Sequence, residues 1–407
     1  MTTIDGRAPR AAFAILALLV LAASPTAWSD SYTATDLGTL GGATSDAFAV
    51  NNFGRVVGVS ALPNAYFNGY FWDAALTGIA PLLGDQSHAF DVNNSGQVAA
   101  VSYRLGEVTT HGVRWQAGVP TNLGNIAPRG INAGGDVVGY YSLNDPNFGW
   151  IYHAAWWQNG SIFDLGTLGG HFSYARAISD DLRIVGYSLL SDEATHRATL
   201  WQNGATLDLG TLGGTNSQAS DINSLGHVVG VADTATNEPH ACLFTLDVNG
   251  NVLGRTDLGT LGGGYSYAYG VNVHDVVVGT SNAAAFRWVS GVMTDLNTLL
   301  VPGQNWRLDA ARAVNDQGQI VGTGLHNGQP RAFLLTPSGV TPGDMNCDGT
   351  VNFGDINPFV LYLSNLSAWQ AANPGCPPAN GDINQDGTYP SFGDINPFVA
   401  LLSQPPR

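Results

Sequence analysis

The chain has 407 residues, enough for two or three ordinary domains or for one large repeat domain with an addition. Its formal net charge is −16, and all fifteen basic residues are arginine. Because an acidic surface repels phosphate backbones and anionic lipid headgroups, nucleic-acid binding is not expected.

The first 29 residues predict a secretory signal peptide. Arg7 and Arg10 precede an unbroken apolar run, Ala11–Ala23, and Ala27-Trp28-Ser29 offers small residues for cleavage. A membrane anchor is the alternative, but this run is shorter than the roughly 20 residues of a spanning helix. No later stretch could span a membrane, so the mature protein is expected to be secreted or held in the cell envelope, where disulfides are permitted.

A heptapeptide, Asp-Leu-Gly-Thr-Leu-Gly-Gly, organises residues 30–342. Complete copies begin at Asp36, Asp164, Asp208 and Asp257, and weaker copies begin at Pro81, Asn122 and Asp295. Copies that recur every 38 to 49 residues indicate an array of repeated units.

Each unit contains four strand signals. The first apolar run ends in Val-Asn or Ile-Asn in most units, and a glycine three residues later closes a tight turn. The second run ends in Val-Val-Gly or Ile-Val-Gly in most units. The third ends in an aromatic residue, except for Leu335 in the last unit, and the fourth leads into the next heptapeptide. Leu182 and Asp275 replace the turn glycine in two units, where we expect a distorted or longer turn.

The predicted fold is mainly β, a seven-bladed β-propeller of four-stranded repeats. A β-solenoid is the alternative, but it would need shorter, parallel rungs. The last unit stops after its third strand, Arg331–Thr336, and the array starts with an unpaired fourth strand, Tyr32–Leu37. We therefore expect the first strand to complete the last blade and to leave no open edge.

This array resembles the extracellular HAF-repeat family, which is named for a His-Ala-Phe triplet in the third strand. The heptapeptide carries the resemblance, together with the imperfect triplets at His111, His153, His240 and Arg331. The resemblance covers about three quarters of the chain and implies an exported repeat protein.

His111, His153 and His240 occupy one repeat position, which would suit a ring of metal-binding or catalytic imidazoles. The third strand of a blade lies away from the axis, however, so a structural role is expected. The repeated Asp of the heptapeptide is expected to form a turn or a cross-strand hydrogen bond. We assign no catalytic residue, since no G-x-S-x-G, H-E-x-x-H or P-loop motif occurs.

The expected binding face combines the heptapeptides with the loops between second and third strands. Two of these loops are long and aromatic, Ala65–Tyr70 and Tyr140–Tyr152. Their aromatic side chains could stack on a sugar or a peptide, or could pack over the blade edge. The candidate ligand-binding residues are Tyr66, Tyr141, Phe148 and Trp150.

Residues 343–407 contain two similar halves that are typical of calcium loops. Each half begins Asp-x-Asn-x-Asp-Gly and ends in Asp, and all six acidic residues of the tail lie at these positions. The expected ligands of two calcium ions are Asp344, Asn346, Asp348, Thr350 and Asp355 in the first loop and Asp382, Asn384, Asp386, Thr388 and Asp394 in the second. One extra residue in the second loop predicts weaker or different coordination. Because unliganded carboxylates repel, calcium binding should be coupled to folding of the tail.

Ile-Asn-Pro-Phe-Val opens a predicted short helix after each loop, with its proline in the first turn. This duplicated, EF-hand-type loop and helix resembles a type I dockerin domain, which implies a small α-helical module that binds cohesin receptors on cell surfaces or multi-enzyme scaffolds. Phe353-Gly354 and Phe392-Gly393 depart from the family, which has hydroxyl residues there for cohesin recognition. Calcium binding therefore carries over better than cohesin binding.

The chain has three cysteines. Cys347 lies inside the first calcium loop and Cys376 between the two halves, and because export permits disulfides, this pair predicts one. Cys242 lies in a third strand and is expected to be a small buried apolar residue.

These features predict an exported, non-enzymatic, monomeric protein. Its propeller would recognise an extracellular ligand, and its calcium-binding tail would dock it to a cohesin-like or other surface protein. One alternative is a polysaccharide-degrading glycoside hydrolase or its glycan-binding accessory protein, which carboxylates roughly 5–10 Å apart at the propeller mouth would favour. Another alternative is a purely structural envelope protein with no soluble ligand.

Overall fold

The computed structural model describes residues 31–104, 110–338, 341–347, 351–373, 376, 378–384 and 390–403. The predicted signal peptide, residues 1–29, lies outside these ranges. So do four of the predicted calcium ligands, Asp348, Thr350, Asp386 and Thr388. No helix in the described part of the chain is long and apolar enough to cross a membrane.

Most described residues of the array form β-strands, which pair antiparallel in groups of four that we number 1 to 7. Group 1 contains β2 (Ser45–Val50), β3 (Val56–Ala61), β4 (Phe67–Trp72) and β5 (Leu76–Ile79). Group 2 contains β6 (Gln86–Val92), β7 (Val98–Tyr103), β8 (Thr110–Gln116) and β9 (Val119–Gly124). Group 3 contains β10 (Ile126–Ile131), β11 (Val137–Asp145), β12 (Gly149–Gln158) and β13 (Ser161–Asp164).

The later groups repeat the same order of strands. Group 4 contains β14 (Gly169–Ile178), β15 (Ile184–Leu190), β16 (His196–Gln202) and β17 (Ala205–Gly210). Group 5 contains β18 (Gly213–Ile222), β19 (His227–Thr234), β20 (Pro239–Leu246) and β21 (Val252–Asp257). Group 6 contains β22 (Ser266–Val271), β23 (Val277–Ser281), β24 (Ala284–Val289) and β25 (Val292–Asp295). Group 7 contains β26 (Trp306–Val314), β27 (Ile320–His326), β28 (Gln329–Pro337) and β1 (Tyr32–Asp36).

The sheets are consistent with the blades of a propeller. Groups 3 and 4 are joined into one sheet, because Tyr152 of β12 pairs in parallel with Phe172 of β14. Each of the other groups is a separate four-stranded sheet. The antiparallel pairing inside every described group differs from the parallel rungs that a solenoid would require.

The first strand completes the last group, as the sequence predicted. β1 pairs antiparallel with β28 from Tyr32, opposite Pro337, to Asp36, opposite Phe333. The Tyr32 ring is fully buried between groups 6 and 7, and its hydroxyl accepts a hydrogen bond from Arg287 at 3.1 Å. The edge of β28 is therefore covered by a strand that lies about 300 residues earlier in the chain.

The apolar core of the array lies between neighbouring groups. Seven clusters of buried side chains each draw on two consecutive groups, and one of them joins group 7 to group 1. In that seam Leu37 of the first heptapeptide packs between Val321 of group 7 and Val56 of group 1. Each sheet thus buries its faces against its neighbours, which is what a four-stranded sheet alone could not do.

The glycines of the heptapeptide have two physical roles. Gly38 adopts a φ of 78°, where a side chain is unfavourable, and its N–H donates to Asp36 Oδ1 at 2.8 Å. Gly42 donates to the carbonyl of Ala61 at 3.0 Å, and a Cβ at Gly42 would collide with the Ala61 backbone. The motif can therefore turn sharply and then run close beside the end of β3.

A buried serine on the first strand of a group joins it to the preceding group. Ser45 Oγ donates to the carbonyl of Gly38 at 2.7 Å and accepts the N–H of Ala332 at 3.1 Å, so one hydroxyl connects groups 7 and 1. The equivalent hydroxyls belong to Ser87, Ser173, Ser217 and Ser266. Polar connections thus accompany the apolar seams.

The turns at Leu182 and Asp275 are neither longer nor differently bonded, so the expectation of a distorted or longer turn was wrong in that respect. Leu182 N donates to Ser179 O at 3.1 Å and Asp275 N to Asn272 O at 3.2 Å, like Gly54 in its own turn. Both residues instead adopt left-handed backbone, with φ of 63° and 60°. That conformation costs a residue with a side chain about 1–2 kcal/mol.

Exchange of these two residues for glycine should have opposite effects. Leu182→Gly removes the left-handed strain and should raise the free energy of unfolding by about 0.5–1 kcal/mol. Asp275→Gly relieves the same strain but removes the carboxylate that accepts hydrogen bonds from His227 and Asn223. It should lower the free energy of unfolding by about 1–2 kcal/mol. Urea denaturation of both variants measures the difference, and a destabilised Leu182→Gly protein would contradict the assignment of strain to this turn.

The tail has a separate apolar core. It contains α1 (Ile356–Ser364), α2 (Leu366–Ala372) and α3 (Ile395–Leu402), with Pro358 and Pro397 in the first turns of α1 and α3. The buried side chains that pack together are Met345, Phe359, Tyr362, Trp369, Cys376, Ile383 and Phe398. Cys347 and Cys376 form a disulfide, and Cys242 is buried as a free thiol.

Candidate functional site

Each predicted calcium loop is closed by a buried aspartate that turns back onto the start of its loop. Asp355 Oδ1 accepts the N–H groups of Met345 and Asn346 at 2.7 and 3.0 Å, and its Oδ2 accepts that of Asn352 at 2.9 Å. Asp394 Oδ1 repeats the first pair of contacts with Ile383 and Asn384, at 2.8 and 3.0 Å. The two halves of the tail thus share one loop-closing arrangement.

The second closing aspartate has a buried oxygen that lacks a donor. Asp394 Oδ2 is inaccessible to water and has no hydrogen-bond partner among the described residues, whereas Asp355 Oδ2 has Asn352. The extra residue of the second loop precedes Ser391, which stands where the first loop has Asn352 and caps the turn through its hydroxyl. A buried carboxylate oxygen without a donor is costly unless a cation satisfies it.

The remaining predicted ligands that the structure describes are oxygen donors of the kind that calcium prefers. Asp344 is buried, Asn346 and Asp382 are half-buried, and Asn384 is exposed. The described part of each loop contains only two carboxylates, and no group of three His, Cys, Asp or Glu side chains there could hold a metal ion. The donor chemistry and the orphaned Asp394 oxygen fit calcium.

Both halves of the tail expose the same three apolar side chains. Phe353 is 75% exposed and Phe392 is 77% exposed, each one turn before a helix. Ile356 and Val360 on α1 are exposed, as are Ile395 and Val399 on α3. We call Phe353, Ile356 and Val360 the first apolar triad, and Phe392, Ile395 and Val399 the second apolar triad.

Two of the three repeated histidines, His153 and His240, pair with the aspartates of the heptapeptide across strands. His153 Nδ1 lies 2.9 Å from Asp164 Oδ2, and His240 Nδ1 lies 2.9 Å from Asp257 Oδ2. Asp164 also accepts the N–H of Gly166 at 2.8 Å, so it has both of the roles predicted for this residue, in the turn and across strands. Burial alone would raise the pKa of Asp164, but the hydrogen bonds from His153 and Gly166 hold it below its ordinary value.

The candidate aromatic residues are only partly brought together. Tyr141, Phe148 and Trp150 lie on the β11–β12 hairpin of group 3, whereas Tyr66 lies in group 1, with group 2 between them. Phe148 packs on His171 of group 4 with 3.8 Å between ring centroids, while Trp150 is exposed. Burial and the nearby Asp164 charge raise the pKa of the Tyr141 phenol to about 12.

The turn asparagines form a ladder that connects successive groups. Asn51 Oδ1 accepts the N–H groups of Phe53 and Arg55 in its own turn, at 3.0 Å each. Its Nδ2 donates to the carbonyl of Asn93 in the next group, at 2.9 Å. The same side chain-to-carbonyl bond runs from Asn93 to Asn132, from Asn223 to Asn272, from Asn272 to Asn315 and from Asn315 back to Asn51. The asparagine ladder therefore runs from group 5 through groups 6, 7, 1 and 2 to group 3, and group 4 has Ser179 at this position.

A cavity of about 250 Å³ lies inside this ladder and is lined by three consecutive residues from every group. Asp180 and Asp316 are its carboxylates, and each accepts a backbone N–H of the preceding group, from Ala133 at 2.8 Å and Val273 at 3.2 Å. These aspartates thus have a structural hydrogen-bonding role.

A second cavity, of about 470 Å³, contains residues that were not predicted from the sequence. We call it the arginine cavity, because Arg129, Arg176 and Arg312 line it together with aromatic rings. All three arginines stand three residues before the residue that begins the turn of their group. Alignment of the repeats on the turn and comparison of this one position would have revealed them.

Asp91 and Asp221 are buried carboxylates that also connect groups. Asp91 Oδ2 accepts the N–H of Ile131 at 2.9 Å, and Asp221 Oδ2 accepts that of Val271 at 3.0 Å. Burial raises the pKa of Asp91 to about 6 and that of Asp221 to about 7, although these hydrogen bonds act in the opposite direction. At a pH between the ordinary aspartate pKa and these raised values, the folded protein therefore retains protons on Asp91 and Asp221 that the unfolded chain has released.

The two raised pKa values predict a pH effect with a definite sign. Between pH 5 and 8 the native groups lose protons that the unfolded chain, with ordinary aspartate pKa values, has already lost, so their contribution to stability falls as pH rises. The free energy of unfolding of Asp91→Asn/Asp221→Asn minus that of wild type should therefore be larger at pH 8 than at pH 5. Urea denaturation at both pH values measures it. The control is Asp247→Asn, because hydrogen bonds from Asn251 lower the pKa of Asp247. An equal stability difference from wild type at both pH values for the double variant would contradict the assignment.

Comparison with known proteins gives likeness of fold only. No model of a known protein family and no curated protein matches the chain. Among solved structures, the WD40 β-propeller domain of Doa1 is 16% identical with a TM-score of 0.43, and the match covers 74% of this chain and 97% of that one. The β-propeller domain of the trilobed protease from Pyrococcus furiosus is 14% identical with a TM-score of 0.46, over 61% of this chain and 80% of that one. TolB from Acinetobacter baumannii is 12% identical with a TM-score of 0.39, over 69% of this chain and 63%, less than two thirds, of that one.

Proposed function

We propose that the chain is an exported, non-enzymatic binding protein. Residues 1–29 act as the signal peptide, residues 30–342 form a seven-bladed β-propeller of HAF repeats that recognises an extracellular ligand, and residues 343–407 form a dockerin-like domain. Calcium orders this tail, which docks the protein onto a cell-surface or scaffold partner. The seven four-stranded groups, the closing strand β1 and the asparagine ladder support the propeller.

The observation that carries the docking proposal is the duplication of the apolar triad. Single exposed apolar side chains are common on protein surfaces and need no explanation. Here the same three positions are exposed in both halves, beside loops that share one closing contact. A recurrent apolar patch of this kind is typical of an interaction surface.

The chemistry of the triads also defines the kind of partner. Phe353 and Phe392 stand where a dockerin has hydroxyl residues, so hydrogen bonding at these positions is replaced by an apolar side chain. We therefore expect the partner, whether a cohesin-like fold or another surface protein, to present an apolar surface. Because α1 and α3 follow the calcium loops directly, loss of calcium should disorder both triads.

The carboxylates in the cavity inside the asparagine ladder favour binding over glycoside hydrolysis. Asp180 and Asp316 are engaged by backbone N–H groups, as expected for structural acceptors. The alternatives are a polysaccharide-degrading activity and a purely structural envelope role, and they would remain if the capture experiment retained no partner.

Calcium-dependent capture tests the proposal. The full exported chain, immobilised, should retain a specific partner from an envelope extract of the source cells with calcium and release it with chelator. Calorimetry should detect two calcium ions per chain. Asp355→Asn and Asp394→Asn should each remove or weaken one of these sites at least tenfold, because each substitution takes away a closing carboxylate.

The duplicated triads predict a characteristic pattern of variants. Phe353→Ser or Phe392→Ser alone should leave one intact triad and reduce capture only about twofold, whereas the double variant should abolish it. The control is Phe53→Ser, since Phe53 is 71% exposed in the array. No calcium-dependent partner, or equal capture by the double variant and the wild type, would refute docking through the triads.

A further inference from the structure

The arginine cavity concentrates positive charge in an acidic protein. Three of the fifteen arginines of the chain line it, while the formal net charge is −16. Arg129, Arg176 and Arg312 come from groups 3, 4 and 7, and no carboxylate lines the cavity among the described residues. Like charges repel each other strongly when they are partly removed from water, so this arrangement requires compensation.

Aromatic rings hold the three guanidinium groups by their flat faces. The Arg129 guanidinium lies 3.9 Å from the centroid of the Phe90 ring, and that of Arg312 lies 4.6 Å from Tyr269. The Arg176 guanidinium lies 5.1 Å from the Tyr187 ring. Stacking of this kind orients a guanidinium and leaves its N–H edge available for hydrogen bonds.

Most of these N–H donors have no protein acceptor among the described residues. Arg129 donates to the carbonyl of Pro128 at 3.1 Å and reaches the Tyr140 hydroxyl only at 3.5 Å. Arg176 donates to Gln218 Oε1 at 3.0 Å. Arg312 Nε is inaccessible to water and has no acceptor in the described part of the chain. Since a guanidinium has five N–H groups, the cavity presents several unused donors.

The uncompensated charge has an energetic consequence. Burial lowers the pKa of Arg129, and the charge of Arg176 lowers it further. A guanidinium nevertheless keeps its proton in proteins, so the repulsion persists. An anion between the arginines would offset both the repulsion and the unmade hydrogen bonds.

The shape of the cavity indicates what carries the anion. Its volume is in the range of small-molecule sites, and the three arginines are half-buried. A neighbouring cavity of about 140 Å³, which Tyr141 lines, shares Tyr140 and Tyr174 with it. The polar tyrosines and the aromatic faces suit a sugar ring, and the continuation toward Tyr141 suits more than one ring.

We propose that the arginine cavity binds a carboxylated sugar, a uronic acid unit of an extracellular polysaccharide. The guanidinium forks hold the carboxylate, and the tyrosine and phenylalanine rings contact the sugar. The choice of a saccharide deepens the proposed recognition of an extracellular ligand and rests on it. The site does not require calcium or the tail, so the two proposals can fail separately.

Titration of the full-length protein with trigalacturonate tests the inference. We expect saturable binding, while the trimethyl ester of trigalacturonate, which keeps the rings and removes the charge, should bind at least tenfold more weakly. Galactose 6-sulfate provides a separate probe of a sulfated sugar. Asp355→Asn/Asp394→Asn should bind trigalacturonate within twofold of wild type, whatever happens to docking.

Arginine variants with a matched control locate the site. Arg176→Gln and Arg312→Gln should each weaken binding at least tenfold, and Arg312→Lys should weaken it less, because it keeps the charge but loses the fork. The matched control is Arg307→Gln. Arg307 lies on the same strand β26 as Arg312, but its side chain is 66% exposed and paired with Asp309. This variant loses the same charge and should bind trigalacturonate within twofold of wild type.

Three outcomes would overturn the inference. They are the absence of trigalacturonate binding at millimolar concentration, equal binding of the acid and its methyl ester, and equal losses in Arg307→Gln and Arg312→Gln. Binding of galactose 6-sulfate without trigalacturonate would overturn the carboxylate assignment. The comparison of acid with ester uses only the wild-type protein, so misfolding of an arginine variant would leave the test valid.

Discussion

The hydrogen bond from Asn315 Nδ2 to the carbonyl of Asn51 spans 264 residues of chain and carries the asparagine ladder from group 7 to group 1. Because Asn51 also holds its own turn through Oδ1, one side chain couples the geometry of a turn to the position of the next sheet. The cavity inside the asparagine ladder and the arginine cavity both depend on this contact between groups 7 and 1, since each is lined by residues from both groups. A chain that failed to close would separate Arg312 of group 7 from Arg129 and Arg176 of groups 3 and 4.

The heptapeptide supplies the complementary part of the seams between groups. Its Leu is buried between sheets, its Asp pairs across strands, and its glycines allow the chain to turn and to run beside the preceding strand. A buried serine adds a hydroxyl bridge at the same seams. Apolar contacts and hydrogen bonds thus join each sheet to the next, which is the arrangement expected of a repeat protein.

The strands, their order and the closing strand could be predicted, because turn glycines and β-branched runs are local signals. The hydrogen bond from Asn51 Nδ2 to Asn93 in the next group was not predictable, because the sequence of the turn indicates only the bonds that Asn51 Oδ1 accepts within its own turn. The arginine cavity was missed because Arg129, Arg176 and Arg312 are far apart in sequence, and Arg312 of group 7 meets the other two only when the ring closes. Leu182 and Asp275 show that a turn can keep its geometry at an energetic cost that sequence alone does not reveal. In the tail, the duplicated loops were recognisable from their spacing, but the partnerless Asp394 oxygen was not, because it depends on the packing of the folded loop.

Hydrogen–deuterium exchange of the first strand tests the closed ring most directly. In a closed ring, alternate amides of β1 are hydrogen-bonded to β28 and that of Ala34 donates to Gln304 Oε1, so the strand should exchange far more slowly than an unpaired segment. The mass of a peptide covering residues 31–37, followed over time in the full-length protein, provides the measurement. Exchange of β1 within seconds, while β27 and β28 remain protected, would show that the last sheet lacks its fourth strand and would contradict the closed ring.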